Sequence, residues 1–185
     1  LERRDIKIST EKYSIIYADP PWSYRNGGNG RAKKHYSLMP TPDICALPVQ
    51  TLAAPDCALF LWATFPLMPE AFNVIEAWGF TYKCAAFVWV KPTKSGIGWA
   101  VGTGYWTRAN AEICLLATKG APQRMAKNVQ QIISEPRREH SRKPDETRKR
   151  ILQLFGDLPR VELFARQTPP GWAVWGNQIN STISL

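Results

Sequence analysis

Asp19-Pro20-Pro21-Trp22 holds the right parts for gripping a flat aromatic amine. It follows the apolar run Ser14-Ile15-Ile16-Tyr17-Ala18, so it is expected at the tip of a buried strand. The exocyclic amine of adenine is a poor nucleophile, because its lone pair is delocalised into the ring. The Asp19 carboxylate and the Pro20 carbonyl can each accept one amine hydrogen. Two acceptors at fixed angles favour a pyramidal nitrogen and turn its lone pair towards an electrophile, which is electrostatic preorganisation. Prolines fix φ and carry no N–H, so Pro20 and Pro21 bring acceptors without a competing donor. The residue before a proline is held extended, so Asp19 is aimed as well as charged. Trp22 offers a face on which a base can stack, worth about 1–3 kcal/mol. A strand stop followed by a turn would use the same proline pair. The place of the tetrapeptide after a buried-looking strand favours the chemical reading.

The elements that must position this tip alternate. Residues 14–18, 58–63, 85–90, 112–118 and 160–165 are continuous apolar runs, as expected for strands covered on both faces. Between them, residues 66–78 carry Leu67, Ala71, Val74, Ile75 and Trp78 near helical period, with Gly79 as a stop. Residues 143–155 read as a second helix. Pro144 is in the first turn, Asp145 and Glu146 follow, Ile151, Leu152 and Phe155 form the apolar face, and Gly156 ends it. The pattern predicts an α/β domain on a mostly parallel sheet, with ligands at the carboxyl ends of the strands. One domain over residues 13–180 is expected, between a short N-terminal segment (1–12) and a C-terminal tail (181–185).

With 44% hydrophobic and 21% charged residues in 185, the chain is globular rather than disordered. It has no apolar run of about 18 residues and no visible signal peptide, so no membrane span is expected and the cytoplasm is the expected compartment. Its four cysteines form no C-x-x-C pair, and His35 and His140 are far apart, so no metal site is expected. The net charge of +9 favours a polyanionic partner. Arg31, Lys33 and Lys34 cluster after the Asp-Pro-Pro-Trp stretch, and Arg137, Arg138, Arg142, Lys143, Arg148, Lys149 and Arg150 crowd another, where phosphate contacts are expected.

Two stretches read as loops. Residues 24–39 hold Asn26-Gly27-Gly28-Asn29-Gly30, and residues 93–110 mix four glycines with Trp99, Tyr105, Trp106 and Arg108. Loops this long are uncommon unless functional or disordered, and recognition residues usually reside on loops at a strand-end site. The glycines at 96, 98, 102 and 104 lack the G-x-G-x-x-G spacing of a dinucleotide site, and no P-loop is present.

In order along the chain follow His35-Tyr36-Ser37-Leu38-Met39, Leu59-Phe60-Leu61-Trp62-Ala63-Thr64, Val88-Trp89-Val90-Lys91, Glu112-Ile113-Cys114-Leu115-Leu116, Lys143-Pro144-Asp145-Glu146, Glu162-Leu163-Phe164-Ala165-Arg166 and Trp175-Gly176-Asn177-Gln178. Together with Asp19-Pro20-Pro21-Trp22, this ordered set resembles the MT-A70 family of adenine and adenosine N6-methyltransferases over about residues 13–179. The resemblance implies a single-domain, Rossmann-like methyltransferase fold with permuted motif order, the catalytic motif preceding the donor-binding segments. The implied cofactor is S-adenosylmethionine, with Asp19, Lys143, Phe164, Arg166, Asn177 and Gln178 on its side. Lys143 would meet the donor's carboxylate, Arg166 its ribose, and the two amides its ribose and adenine end. Read alone, Lys143 is a surface lysine at a helix start and Asn177-Gln178 a chain-end turn. On the substrate side stand Tyr24, His35, Tyr36, Lys91, Arg108 and Glu112. Two departures are visible: Arg142 stands where the family often has His, and the segment after Arg166 is short.

The expected reaction is methyl transfer to the N6 amine of adenine in DNA, with the base flipped out of the duplex. The compact chain, without a visible RNA-binding module, favours DNA over RNA, and a homodimer would suit a palindromic site. An RNA adenosine methyltransferase, an inactive nucleic-acid-binding subunit and an amide methyltransferase are the competing readings.

Overall fold

The computed structural model describes residues 11–23, 38–93, 95–102, 104, 106–138 and 142–185. Seven strands form one sheet: β1 (Tyr13–Ala18), β2 (Ala53–Ala63), β3 (Thr81–Val90), β4 (Ala111–Lys119), β5 (Ile132–Ser134), β6 (Arg160–Leu163) and β7 (Ala173–Trp175). Their order across the sheet is β5-β3-β4-β2-β1-β6-β7. β1 lies between β2 and β6, parallel to both, β6 pairs with β7 in parallel, and so does β3 with β5. β4 alone is reversed, antiparallel to β2 and to β3. The mostly parallel α/β sheet expected from the apolar runs is therefore what forms.

Alternate residues of the central strands divide between two cores, as the two-residue period of a strand requires. Ile16, Ala18, Leu59, Leu61, Leu115 and Val161 face one side. There they meet Ile44 of α1 (Thr41–Ala46) and Ala71, Val74 and Ile75 of α2 (Met68–Ala77). Ile15, Tyr17, Ala58, Phe60, Trp62 and Cys114 face the other, against Ile151 and Phe155 of α3 (Asp145–Phe155). Burial on both faces explains why these strands read as unbroken apolar runs.

Differences from the sequence expectation have local causes. The helix expected over 66–78 opens with a 3-10 turn, Phe65–Leu67, and its α-helical part ends at Ala77 before Gly79, whose φ is +76°. The helix expected from Lys143 starts at Asp145, because Pro144 supplies its N-terminal boundary. Lys143 is thereby left outside the helix. β3 begins four residues earlier than expected, since Thr81–Cys84 are exposed and give no apolar run. Cys84 is accordingly exposed, while Cys57 and Cys114 are buried. Near the C-terminus, Thr182 N–H bonds the Val174 carbonyl (2.8 Å) and Ile183 is buried in the first core. Among the described residues, no helix is long and apolar enough to cross a membrane.

Candidate active site

With only β4 reversed, the carboxyl ends of six strands and the amino end of β4 share one edge of the sheet. Asp19 follows β1 there, Lys91 follows β3, Glu112 opens β4 and Phe164 follows β6. Lys143 precedes Pro144, a position biased towards extended backbone, and reaches the same edge from the start of α3.

These groups form a chain of alternating charge. Lys143 Nζ donates to both carboxylate oxygens of Asp19 at 2.7 Å and lies 3.3 Å from Glu112 Oε2. The other Glu112 oxygen, Oε1, accepts from Lys91 Nζ. Lys143 and Lys91 also lie over the rings of Trp62 and Trp89, at 5.5 and 4.5 Å. All four charged side chains are largely withdrawn from water, and buried charges need such pairing to persist. Burial works against the Lys143 ammonium, but Asp19 and Glu112 outweigh it and hold the amine well above its ordinary range. Burial would lift Glu112, yet it faces two ammoniums and ends below the usual glutamate range. Burial, helped by the nearby Glu112, lifts the Asp19 carboxyl above the usual aspartate range against the pull of Lys143 and Arg166. Of the two carboxylates, Asp19 is therefore the better proton acceptor.

The tetrapeptide itself is tied down. Pro20 carbonyl accepts Trp22 N–H at 2.9 Å, and Pro21 carbonyl accepts Met39 N–H at 2.8 Å. A carbonyl has two lone pairs, so Pro20 keeps one for a ligand. Trp22 departs from the expected stacking surface. Only 7% exposed, it packs in the first core and donates Nε1–H to the Trp62 carbonyl at 3.0 Å. Trp22 fixes the tip, and its face is not open to a base. Behind the tip, Trp62 donates its own indole N–H to Tyr17 Oη at 2.7 Å. This Tyr17–Trp62–Trp22 support was missed from sequence, where Tyr17 and Trp62 read only as strand residues.

Of the expected donor-side residues, Phe164 and Arg166 follow β6, and Asn177 and Gln178 follow β7. Phe164 has a φ of +59° and meets the Trp175 ring edge-on at 5.3 Å. Ala165 N–H bonds the Trp175 carbonyl (2.9 Å), and a Cβ on Gly176 would stand 2.3 Å from the Ala165 carbonyl oxygen. Glycine thus lets the two strand ends touch, bringing the Arg166 turn beside Asn177 and Gln178. Both amides are exposed in a turn that Ser181 closes through bonds to Gly176. Arg108 is exposed on the connection between β3 and β4. Tyr24, His35, Tyr36 and the basic group Arg31, Lys33 and Lys34 lie outside the described residues.

The second basic stretch needs correcting. Arg138, Arg142 and Arg148 all pair with Asp145, and Arg148 also grips Glu162 through two bonds of 2.7 and 2.8 Å. Arg150 pairs with Glu146 and donates to the Gln130 and Ile132 carbonyls. Arg148 and Arg150 thereby tie α3 to the sheet, whereas Arg138 is paired with Asp145 and Glu135 yet stays exposed. Arg137 and Lys149 are exposed and carry no ion pair among the described residues.

A family model described as MT-A70 matches residues 13–178. The chain belongs to the MT-A70 family. It is 34% identical over 194 residues to the type II methyltransferase M.MunI of a Mycoplasma species, covering 94% of this chain and 80% of that one. It is 34% identical to a putative N(6)-adenosine-methyltransferase of Medicago truncatula and 29% identical to the human N(6)-adenosine-methyltransferase catalytic subunit METTL3. Each alignment takes in 91% of this chain but only 27% and 28% of those longer proteins. The seven-stranded α/β sheet fits a methyltransferase of this family.

Proposed function

We propose that this protein methylates the exocyclic N6 amine of adenine in DNA, using S-adenosylmethionine, through one catalytic domain over residues 13–180. The observation that carries the reading is the Lys143 ammonium clamped on both oxygens of Asp19 at the strand tip of an MT-A70 chain. The amino-acid end of the donor is a zwitterion, and Asp19 and Lys143 offer one anion and one cation side by side. The donor set therefore fits the group. Lys143 would take the carboxylate and Asp19 the ammonium, with Phe164, Arg166, Asn177 and Gln178 at the nucleoside end. Bound there, the group supplies an electrophilic methyl on a sulfonium.

The protein's own work is positioning and proton handling. Asp19 and the free lone pair of the Pro20 carbonyl hold the adenine amine, and Asp19 takes up the proton that the nitrogen sheds. Glu112 keeps Lys143 charged when Asp19 turns to its ligands. Adenine specificity is supported by this two-acceptor grip and by the N(6)-adenosine activity in the names of several relatives. DNA is favoured by the similarity to a type II methyltransferase, 34% identical over 94% of this chain, against 29% for the human adenosine methyltransferase subunit.

The test is labelled methyl transfer from S-adenosylmethionine to unmethylated DNA and to RNA, with digestion of the product to nucleosides. N6-methyladenine from DNA is expected, and Asp19→Ala should abolish its formation while donor binding is largely kept. Turnover retained in that variant would contradict the assigned chemistry. Preferential labelling of RNA would move the substrate to the adenosine reading.

A further inference from the structure

Resting on the reading that the substrate is DNA, we infer that the connection between β3 and β4 is a wedge, and that Trp106 enters the base stack of the duplex beside the extruded adenine. Trp106 is wholly exposed, at 100%. Ile97, Trp99 and Val101 on the same connection are each more than half exposed. Large apolar side chains standing in water on one segment mark an interaction surface.

The described residues of this connection are tied to one another. Lys91 N–H bonds the Asn110 carbonyl, Ala100 N–H the Lys91 carbonyl (2.7 Å) and Gly102 N–H the Ala109 carbonyl (2.6 Å). A Cβ on Gly104 would stand 1.8 Å from the Thr107 carbonyl oxygen, so only glycine lets the backbone come this close to Thr107, the residue after Trp106. Residues held in advance lose less freedom on binding. Its root is registered to the chemistry, because Lys91 is the first link of the chain through Glu112 and Lys143 to Asp19.

The partner follows from charge and from elimination. Arg108, two residues past Trp106, is exposed and carries no ion pair among the described residues. An apolar ring flanked by an open guanidinium matches a base step flanked by phosphate. The net charge of +9 opposes a second copy of the same chain as the occupant. Extruding a base leaves a gap in the stack, and apolar side chains fill such gaps. Trp22 is buried and cannot serve.

The test compares kcat/KM for Trp106→Ala on an unmethylated mixed-sequence duplex and on its separated strand. A loss of about 10- to 100-fold is expected on the duplex. The single strand, with no stack to open, should be nearly unaffected. Trp106→Phe should recover most of the duplex activity, and the melting temperature should not move. Equal losses on both substrates, no loss on either, or a loss traced by sedimentation to an altered oligomeric state would each overturn the wedge. A wild-type protein inert on both substrates overturns the DNA reading and the wedge together. An active wild type with an unaffected Trp106→Ala overturns the wedge alone.

Discussion

Residues 137–150 and residues 93–110 both look like nucleic-acid surface in the sequence, and they are put to opposite uses. The first is dense in arginine, yet Arg138, Arg142, Arg148 and Arg150 are each paired with Asp145, Glu146 or Glu162, and Arg148 and Arg150 lock α3 against the sheet. The second is poorer in positive charge, yet its indoles and Arg108 stand in solvent beside the catalytic edge. Charge density thus misleads where acids are interleaved among the bases. Free charge, rather than charge, is what a phosphate meets.

The largest effect that would sharpen this contrast lies in the inward region. Arg148→Met strands the buried Glu162 carboxylate and should cost about 3–5 kcal/mol of stability, read as a lowered denaturant midpoint. Adding Glu162→Leu should return most of it. An unchanged midpoint in the single variant would mean that the two regions are not built differently. Next in size is the loss of duplex turnover in Trp106→Ala. A subtler comparison is the salt dependence of DNA binding. Arg108→Gln should reduce the slope of log K against log[salt] by about one, while Arg138→Gln should leave it unchanged; equal slopes in both would erase the distinction. The smallest effect concerns acid. Burial alone would raise Asp145, but Arg138, Arg142 and Arg148 hold its carboxyl below the ordinary value of 3.8. Its contribution to stability is therefore complete above that value and is lost as the pH falls through the lowered one. Asp145→Asn should flatten the most acidic limb of a stability–pH profile, and an unaltered limb would deny the pairing in solution.

Much of this was readable from the chain. The central strands and the two longer helices announce themselves because burial on both faces leaves long apolar runs, and the helices carry a clear period. β5 and β7, three residues each, are too short to show any period. α1 is only six residues long and contains Pro42. The residues at the catalytic edge could be named, but not how they join. That Lys91, Glu112, Lys143 and Asp19 form one line of charge depends on the antiparallel register of β3 with β4 and on where α3 begins, and neither is written locally. The two tryptophans make the same point. Trp22 sits in the Asp-Pro-Pro-Trp motif and is buried, Trp106 sits in the long 93–110 loop and is open, and only the packing of distant strands separates them.

The lone reversed strand has a consequence for how such a protein can diversify. Because β3 leaves the sheet and β4 re-enters it at the same rim, residues between Lys91 and Asn110 can be lengthened, shortened or exchanged without passing any chain across the layer or shifting a neighbouring strand. Under the proposed function, target preference can drift there while the charged edge at Asp19 and Lys143 stays as it is, and a graft at those two anchor points is the natural way to retarget such a protein.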